Sequence, residues 1–272
     1  MQTKSIRAGI AAVIPTLNRS GLGTAIQSVY AQTLAPDVLL IVTDSTVGHA
    51  QNLPAQQSRK VQTVFLPNNR SKGLSGALNT ALGHLADTLE PTRTFVAFLD
   101  DDDWWDPRYL ESCIRLAHRR NLDWVVAGIT RHESKGDEGT NLTIPRSLNF
   151  SSFLSTNPHV QGFNLFVRLS TVLRAGGFDE NLRSTTDRDV GIRLLGLGNT
   201  RVGYLPKYLV HHAAYGAERL STPGSSQKLA GLVAFYGKYW PIMSNADRSA
   251  FINRAWTVFR CPRDTFVGGK AR

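Results

Sequence analysis

The 272-residue chain is 42 % apolar and 19 % charged, the balance of a globular protein with a large core rather than a disordered one. No apolar run approaches the roughly 18–20 residues of a membrane-spanning helix, which argues against an integral membrane protein. A net charge of +10 points to an anionic substrate, acceptor or membrane surface, yet Lys and Arg are scattered, without the basic stripe and motifs of a nucleic-acid binder.

The amino terminus lacks the long apolar segment of a signal peptide. Cys113 and Cys261 are too few for a disulfide framework and read as reduced thiols. A cytoplasmic protein, at most peripheral at a membrane, is expected. In chain order, apolar runs predict strands at 10–15, 38–43, 61–66 and 95–99. Helix-like stretches near 21–32 and 74–86 lie between them, the alternation of βαβ units around a mostly parallel sheet. Pro15 closes the first strand and Pro67 the third. Asp106-Pro107 reads as an N-cap followed by proline at the first helical position, opening a helix to about Arg119.

Further on, a strand at 124–130 and a polar turn at 136–140 precede helices at 151–156, 170–175 and 186–195. A late strand at 202–210 and amphipathic helices at 226–239 and 246–259 complete the fold, and 262–272 reads as a disordered tail. With no repeat and no low-complexity linker, two lobes on one sheet are expected rather than two independent domains.

The chemistry gathers at Asp100-Asp101-Asp102-Asp103, directly after an apolar strand. Four adjacent carboxylates repel, and each raises its neighbours' pKa unless a cation sits among them. A hard divalent ion removes that cost, and Mg²⁺ commonly bridges carboxylates to substrate phosphates. The carboxyl end of a strand in an α/β sheet is also where ligands bind. A solvated acidic turn is the simpler alternative, but it does not account for the direct junction with a buried strand on one side and Trp104-Trp105 on the other.

The segment Phe98-Leu99-Asp100-Asp101-Asp102-Asp103-Trp104-Trp105-Asp106-Pro107 resembles the Asp-X-Asp segment of inverting family 2 glycosyltransferases, which have the GT-A fold. The resemblance extends over roughly residues 10–220. It implies an α/β, GT-A architecture: a Rossmann-like, mostly parallel central sheet flanked by helices, with a smaller acceptor-side lobe. Residues 1–103 are then the nucleotide-sugar lobe, and 104–261 the acceptor and catalytic-base lobe on the same sheet.

Val13-Ile14-Pro15-Thr16-Leu17-Asn18-Arg19 looks like the family's first strand and nucleotide loop, which implies donor contacts at Pro15, Thr16, Asn18 and Arg19. Asp44 stands where the family has an aspartate that hydrogen-bonds the base. Here Thr43-Asp44-Ser45-Thr46 carries one acidic residue where two, followed by Gly-Ser, are usual. Asn69-Arg70-Ser71-Lys72-Gly73-Leu74-Ser75-Gly76 is similar to the family's glycine-containing loop. Glycine lets the backbone approach a ligand and a helix N-terminus suits anions, with Arg70, Lys72 and Gly73 as donor-side candidates.

Gly176-Gly177-Phe178-Asp179-Glu180 followed by Thr186-Asp187-Arg188-Asp189 resembles the acceptor-side signature and implies that Asp187 is the catalytic base, although threonine replaces the usual preceding glutamate. One positioned carboxylate suffices to deprotonate a hydroxyl. Asp189, facing the following turn of its helix, reads as structural.

His211-His212, expected in an irregular segment after the late strand, stands where relatives have a histidine near the metal. The choice between the rings is open, with His212 taken as the candidate. Arg219 belongs to a loop similar to one that closes over the diphosphate, where guanidinium suits phosphate.

In the metal seat, Asp102 is expected as main ligand with Asp100 as partner. Asp101 is placed nearer the ribose of the donor, and Asp103 only caps the turn. One of Trp104 and Trp105 packs in the core and the other stacks on a sugar. Trp105, Phe163 and Asn164 are the acceptor-side candidates, with residues 161–164 as the pocket floor.

The resulting expectation is a Mn²⁺- or Mg²⁺-assisted, inverting transfer from a nucleoside diphosphate sugar to an acceptor that is a small molecule, a glycan or a peptide. A sugar-1-phosphate nucleotidyltransferase is the alternative enzyme, but its N-terminal glycine-rich loop has no counterpart at residues 15–20. A non-catalytic binding protein of the same fold would not need aspartates at both the metal and the base positions.

Overall fold

A computed structural model describes residues 9–44, 61–215 and 222–269. Its first half alternates β1 (Gly9–Thr16), α1 (Leu22–Tyr30), β2 (Val38–Thr43), β3 (Gln62–Pro67), α2 (Leu74–Thr88) and β4 (Thr94–Phe98). These four strands are parallel, in the order β3-β2-β1-β4. Runs such as Val-Leu-Leu-Ile-Val-Thr in β2 are buried at every position, as a parallel strand covered on both faces requires.

The second half contributes β5 (Trp104–Trp105), α3 (Tyr109–Arg120), β6 (Trp124–His132), β7 (Thr140–Asn141), α4 (Phe150–Ser155), β8 (Leu165–Arg168) and α5 (Leu169–Arg174). It ends with α6 (Thr186–Gly196), β9 (Val202–Ala213), α7 (Ser226–Tyr239) and α8 (Asn245–Phe259). The same sheet continues β4-β8-β6-β9-β5, with β7 on β6. Here β8 runs antiparallel to β4 and to β6, while β6 and β9 are parallel. Strands β1, β2, β3, β4, β6 and β9 thus point one way, so the sheet is mostly parallel and passes unbroken from the first half into the second.

Period-two alternation divides β1 between two cores. Ala11 and Val13 face α2 and the carboxyl-terminal helices, whereas Ile10, Ala12 and Ile14 face α1 and α3. The strand ends that meet these cores at their carboxyl side are Thr16, Thr43 and Phe98, and the aspartate run follows directly from the last of them.

Four expectations change. Pro67 does end β3, but Pro15 does not close β1, which runs on to Thr16 with Pro15 paired to Val42. Helix α3 starts at Tyr109 rather than at Pro107: Arg108 N–H donates to the Asp106 carboxylate (2.9 Å) and Tyr109 N–H to the Asp106 carbonyl (3.0 Å), so Asp106-Pro107 forms a turn ahead of the helix. Strand β9 runs on through His211 and His212, because Trp104 and Trp105 pair with His211 and Val210. Finally, the segment expected as a disordered tail forms 3-10 turns at Arg263–Gly269. Phe266 is buried there, its ring 5.0 Å from Tyr236 and 5.6 Å from Phe251, edge-on to both.

That docking is testable. Phe266→Ala is expected to lower stability by about 3 kcal/mol, the scale of a phenylalanine truncated in a core, read as a lower urea midpoint at unchanged m-value. An unchanged midpoint would mark the segment as a loose tail after all.

Candidate active site

The four aspartates point in different directions because each finds a different partner. Asp101, 3 % exposed, turns back to the loop after β1. It accepts from Thr16 Oγ1 (2.6 Å), Leu17 N–H (3.2 Å) and Arg19 (3.4 Å). Gly21 makes this approach possible: a Cβ there would lie 2.7 Å from the Asp101 carbonyl oxygen. Asp101 therefore fastens the loop after β1, and its carboxylate is taken up there rather than free for the ribose contact expected of it. Pro15 is buried inside β1 and the Thr16 hydroxyl is occupied, so exposed Asn18 and half-buried Arg19 are the members of that set open to a ligand.

Asp103, 1 % exposed, accepts from Ala213 N–H at 2.8 Å and from His212 Nδ1 at 3.1 Å. It is not a mere turn cap. Carboxylate oxygens of Asp100, Asp102 and Asp103 can be brought within 4.8 Å of one another. Burial first, then the charges of Asp103, Asp102 and Asp101, pushes the Asp100 carboxyl well above the usual range, with Arg19 opposing. Asp102 is raised as well, by burial and then by Asp103. Three oxygen donors crowded without a neutralising partner, apart from Arg19 on Asp102 at 3.2 Å, fit a hard divalent cation.

The two histidines separate across the sheet. His212 shares a face with Asp103, and Phe163 stacks on its ring at 5.0 Å. Since a carboxylate only accepts, the Asp103 bond puts the proton on Nδ1. His212 thus steadies Asp103 and stands outside the group of three carboxylates. His211 lies on the opposite face, stacked on Trp104 at 5.2 Å and bonded to His132 Nε2 at 3.1 Å, whose Nδ1 meets Asp137 at 2.7 Å.

Asp44, at the end of β2, accepts from Gly73 N–H (2.7 Å) and from the Asn68 amide. The loop there needs glycine, since Gly73 has φ +121°. Arg70, instead of pointing at a ligand, pairs with Glu180 at 3.2 Å. Glu180 also accepts from Ser71 N–H and Asn79, and hydrogen bonds from Ser71 first, then Asn79 and Arg70, hold its carboxyl at about 2. Lys72 is exposed. Arg219 lies outside the described residues.

Asp187 opens α6, half-buried, and accepts from the Asn157 amide at 2.8 Å. Asp189 is structural, as expected, fully buried and held by Arg193 (2.6 Å) and Tyr239 (2.7 Å). Residues 157–164 connect Asp187 to the aspartates. Asn157 contacts Asp187 at one end, Asn164 is anchored to Ala127 O and His159 O, and Phe163 lies against His212 at the other.

Three acceptor-side expectations change in the same region. Trp105 is 2 % exposed and donates its indole N–H to Phe163 O at 3.1 Å, so it is the core tryptophan. Phe163 and Asn164 are buried and present no contact surface. Trp104 is the half-buried indole. Asn157 escaped sequence reading because Ser-Thr-Asn-Pro-His carries only a turn signal. A separate cavity of about 390 Å³ lies at the amino-terminal ends of the strands, where Arg168 and Arg201 both pair with Asp123.

The family model described as Glycosyl transferase family 2 matches residues 11–172. Succinoglycan biosynthesis protein ExoW of Rhizobium meliloti is 32 % identical over 113 residues, which is 40 % of this chain and 33 % of that protein. The UDP-Glc:alpha-D-GlcNAc-diphosphoundecaprenol beta-1,3-glucosyltransferase WfgD of Escherichia coli is 29 % identical over 117 residues, 43 % of this chain and 44 % of that one. The matches thus span less than half the length of either relative.

Among solved structures, S. aureus TarS 1-349 in complex with UDP-GlcNAc superposes with a TM-score of 0.68 at 16 % identity, covering 93 % of this chain and 74 % of TarS. The Pyrobaculum calidifontis mannosyltransferase PcManGT, in complex with GDP-Man and Mn²⁺, gives 0.58 at 15 %, covering 97 % and 79 %. At such identity the likeness establishes the fold, GT-A. With that fold and a family match over more than half its length, the chain belongs to glycosyl transferase family 2.

Proposed function

We propose that this protein transfers a glycosyl group from a nucleoside diphosphate sugar to an acceptor hydroxyl, with inversion at the anomeric carbon and with Asp187 as the base. The observation that carries this reading is the convergence of Asp100, Asp102 and Asp103 at the carboxyl end of β4, with a separate half-buried carboxylate, Asp187, oriented by Asn157. Crowded acids suit a cation and a diphosphate, whereas a single carboxylate held by an amide suits proton abstraction. The nucleotide sugars bound by TarS and PcManGT support the donor class.

A divalent cation on Asp100, Asp102 and Asp103, when bound, neutralises the diphosphate leaving group. The protein's own residues supply position. Asp101 holds the loop carrying Asn18 and Arg19 against the aspartates, His212 and Ala213 fix Asp103, and Asp44 shapes the Gly73 turn at the nucleotide side. Asp187 takes the proton of the acceptor hydroxyl as it attacks, so one displacement inverts the sugar without a second acid. Among the described residues no helix is long and apolar enough to cross a membrane, and the charge of +10 supports peripheral association with an anionic surface.

Asp187→Asn keeps an oxygen for Asn157 but removes the base. It is expected to lower kcat by about a thousandfold, within the span of general-base catalysis, with nucleotide affinity nearly unchanged. Turnover like that of the unaltered protein would remove Asp187 from the mechanism.

Thermal shift tests the metal seat. UDP or GDP is expected to raise Tm only with Mn²⁺ or Mg²⁺, by an amount that grows with ligand concentration, and Asp102→Asn is expected to abolish the rise. Equal stabilisation in the presence of a chelator would refute metal-assisted binding, and no stabilisation under any condition would favour a protein that has lost donor binding.

A further inference from the structure

Three cations from three helices, Arg188 on α6, Lys228 on α7 and Arg254 on α8, lie within the electrostatic reach of the Asp187 carboxylate. Helix α7 is drawn against the start of α6 by hydrogen bonds from Ser184 Oγ to Lys228 O (3.3 Å) and from Thr185 Oγ1 to Gly231 O (3.4 Å). Gly231 permits this, since a Cβ there would collide with Ser184.

The three cations are not equivalent. Arg188 is spent on structure: it donates to Phe153 O (2.7 Å) and Leu154 O (2.8 Å) and lies 4.4 Å over the Phe235 ring. Lys228 is 8 % exposed. Among the described residues its ammonium forms neither a hydrogen bond nor an ion pair, and it sits 4.2 Å over the Phe259 ring. The Arg254 guanidinium also lacks a hydrogen bond among the described residues and lies 5.5 Å from the same ring.

The other acid of α6 cannot compensate, because Asp189 is taken by Arg193, Lys238 and Tyr239. A desolvated ammonium without an ion-pair partner is costly, and one aromatic face offsets only part of that cost. Burial pulls Lys228 down to about 8, with Asp187 opposing and Arg188 and Arg254 adding to the effect. A group that brings negative charge and several acceptor oxygens answers both deficits.

We propose that Lys228 and Arg254 bind a phosphate group carried by the acceptor, beside the hydroxyl that Asp187 activates. The assignment rests on Asp187 as the acceptor-side base. Phosphate of the donor is the other source of the same chemistry, but its seat is the aspartate cluster, which is built to hold a cation against it.

Calorimetric titration of the full chain decides between them, with glycerol 3-phosphate as the anionic probe, glycerol as its neutral control and UDP with Mn²⁺ as the donor-site probe. Glycerol 3-phosphate is expected to bind and glycerol not to. Lys228→Met and Arg254→Gln are each expected to weaken the phosphate ester by about tenfold, the scale of one charge-assisted hydrogen bond, and to leave UDP–Mn²⁺ unchanged. Asp187→Asn is expected to tighten the ester, since it removes the neighbouring negative charge.

Binding of UDP–Mn²⁺ without any binding of glycerol 3-phosphate would overturn the proposal and leave the donor reading standing. Parallel loss of both ligands in the two variants would reassign the cations to the donor. An Asp187→Asn variant indifferent to the ester would place the anion elsewhere. Because Lys228 is buried, Arg254→Gln, at a half-buried position, carries the test if Lys228→Met lowers Tm.

Discussion

Four carboxylates in consecutive positions at the end of a buried strand repel one another, and the surrounding fold is arranged around how that repulsion is divided. Asp101 is neutralised and hydrogen-bonded by the loop after β1. Asp103 is held by the end of β9 through His212 and the Ala213 amide. Asp100 and Asp102 retain most of the strain, visible as carboxyls pushed upward by burial and by their neighbours. Two acids thus act as tethers that draw β1 and β9 to the same point. The charge left over, centred on Asp100 and Asp102 with Asp103 at its edge, is what a divalent cation and a diphosphate would satisfy.

The halves of the molecule are joined by the same kind of device. Antiparallel β8 continues the sheet beyond β4, and the segment preceding it reaches from Asn157, beneath Asp187, to Phe163, against His212. On the other side of the site, Asn79 exchanges hydrogen bonds with the backbone of Phe178, and Glu180 gathers Arg70, Ser71 and Asn79. The glycine loop of the first half is therefore held by an acidic residue of the second. Arg70, which looked like a ligand contact, is part of that clamp.

These arrangements give the site two poles of opposite sign. One is acidic, at the carboxyl end of β4, and suits a cation with the donor's diphosphate. The other surrounds Asp187 with cations, two of which lack hydrogen-bonding partners among the described residues. Under the proposed reading, with a phosphate on both donor and acceptor, opposite local fields would keep the two ligands apart without relying on the shape of either.

Much of this was legible in the residues themselves. Unbroken apolar runs announced β1, β2 and β4, because strands covered on both faces need no alternation. Four adjacent acids announced a site of concentrated negative charge, although not that Asp101 and Asp103 find protein partners of their own. Asp189 was recognisable as structural from its i,i+4 relation to Arg193, which helix geometry alone provides. What could not be read was direction. Whether Asp101 or Asp103 faced the ligand, and which of His211 and His212 reached the acids, depended on β5 pairing with β9. That contact joins residues far apart in sequence and places neighbouring side chains on opposite faces. Trp104 and Trp105 were separated by the same alternation. Lys228 and Arg254 read as polar positions of two amphipathic helices, and only the tertiary packing brought them within the electrostatic reach of Asp187. Local sequence determines periodicity and charge, while the pairing of distant strands and helices decides what each charge faces.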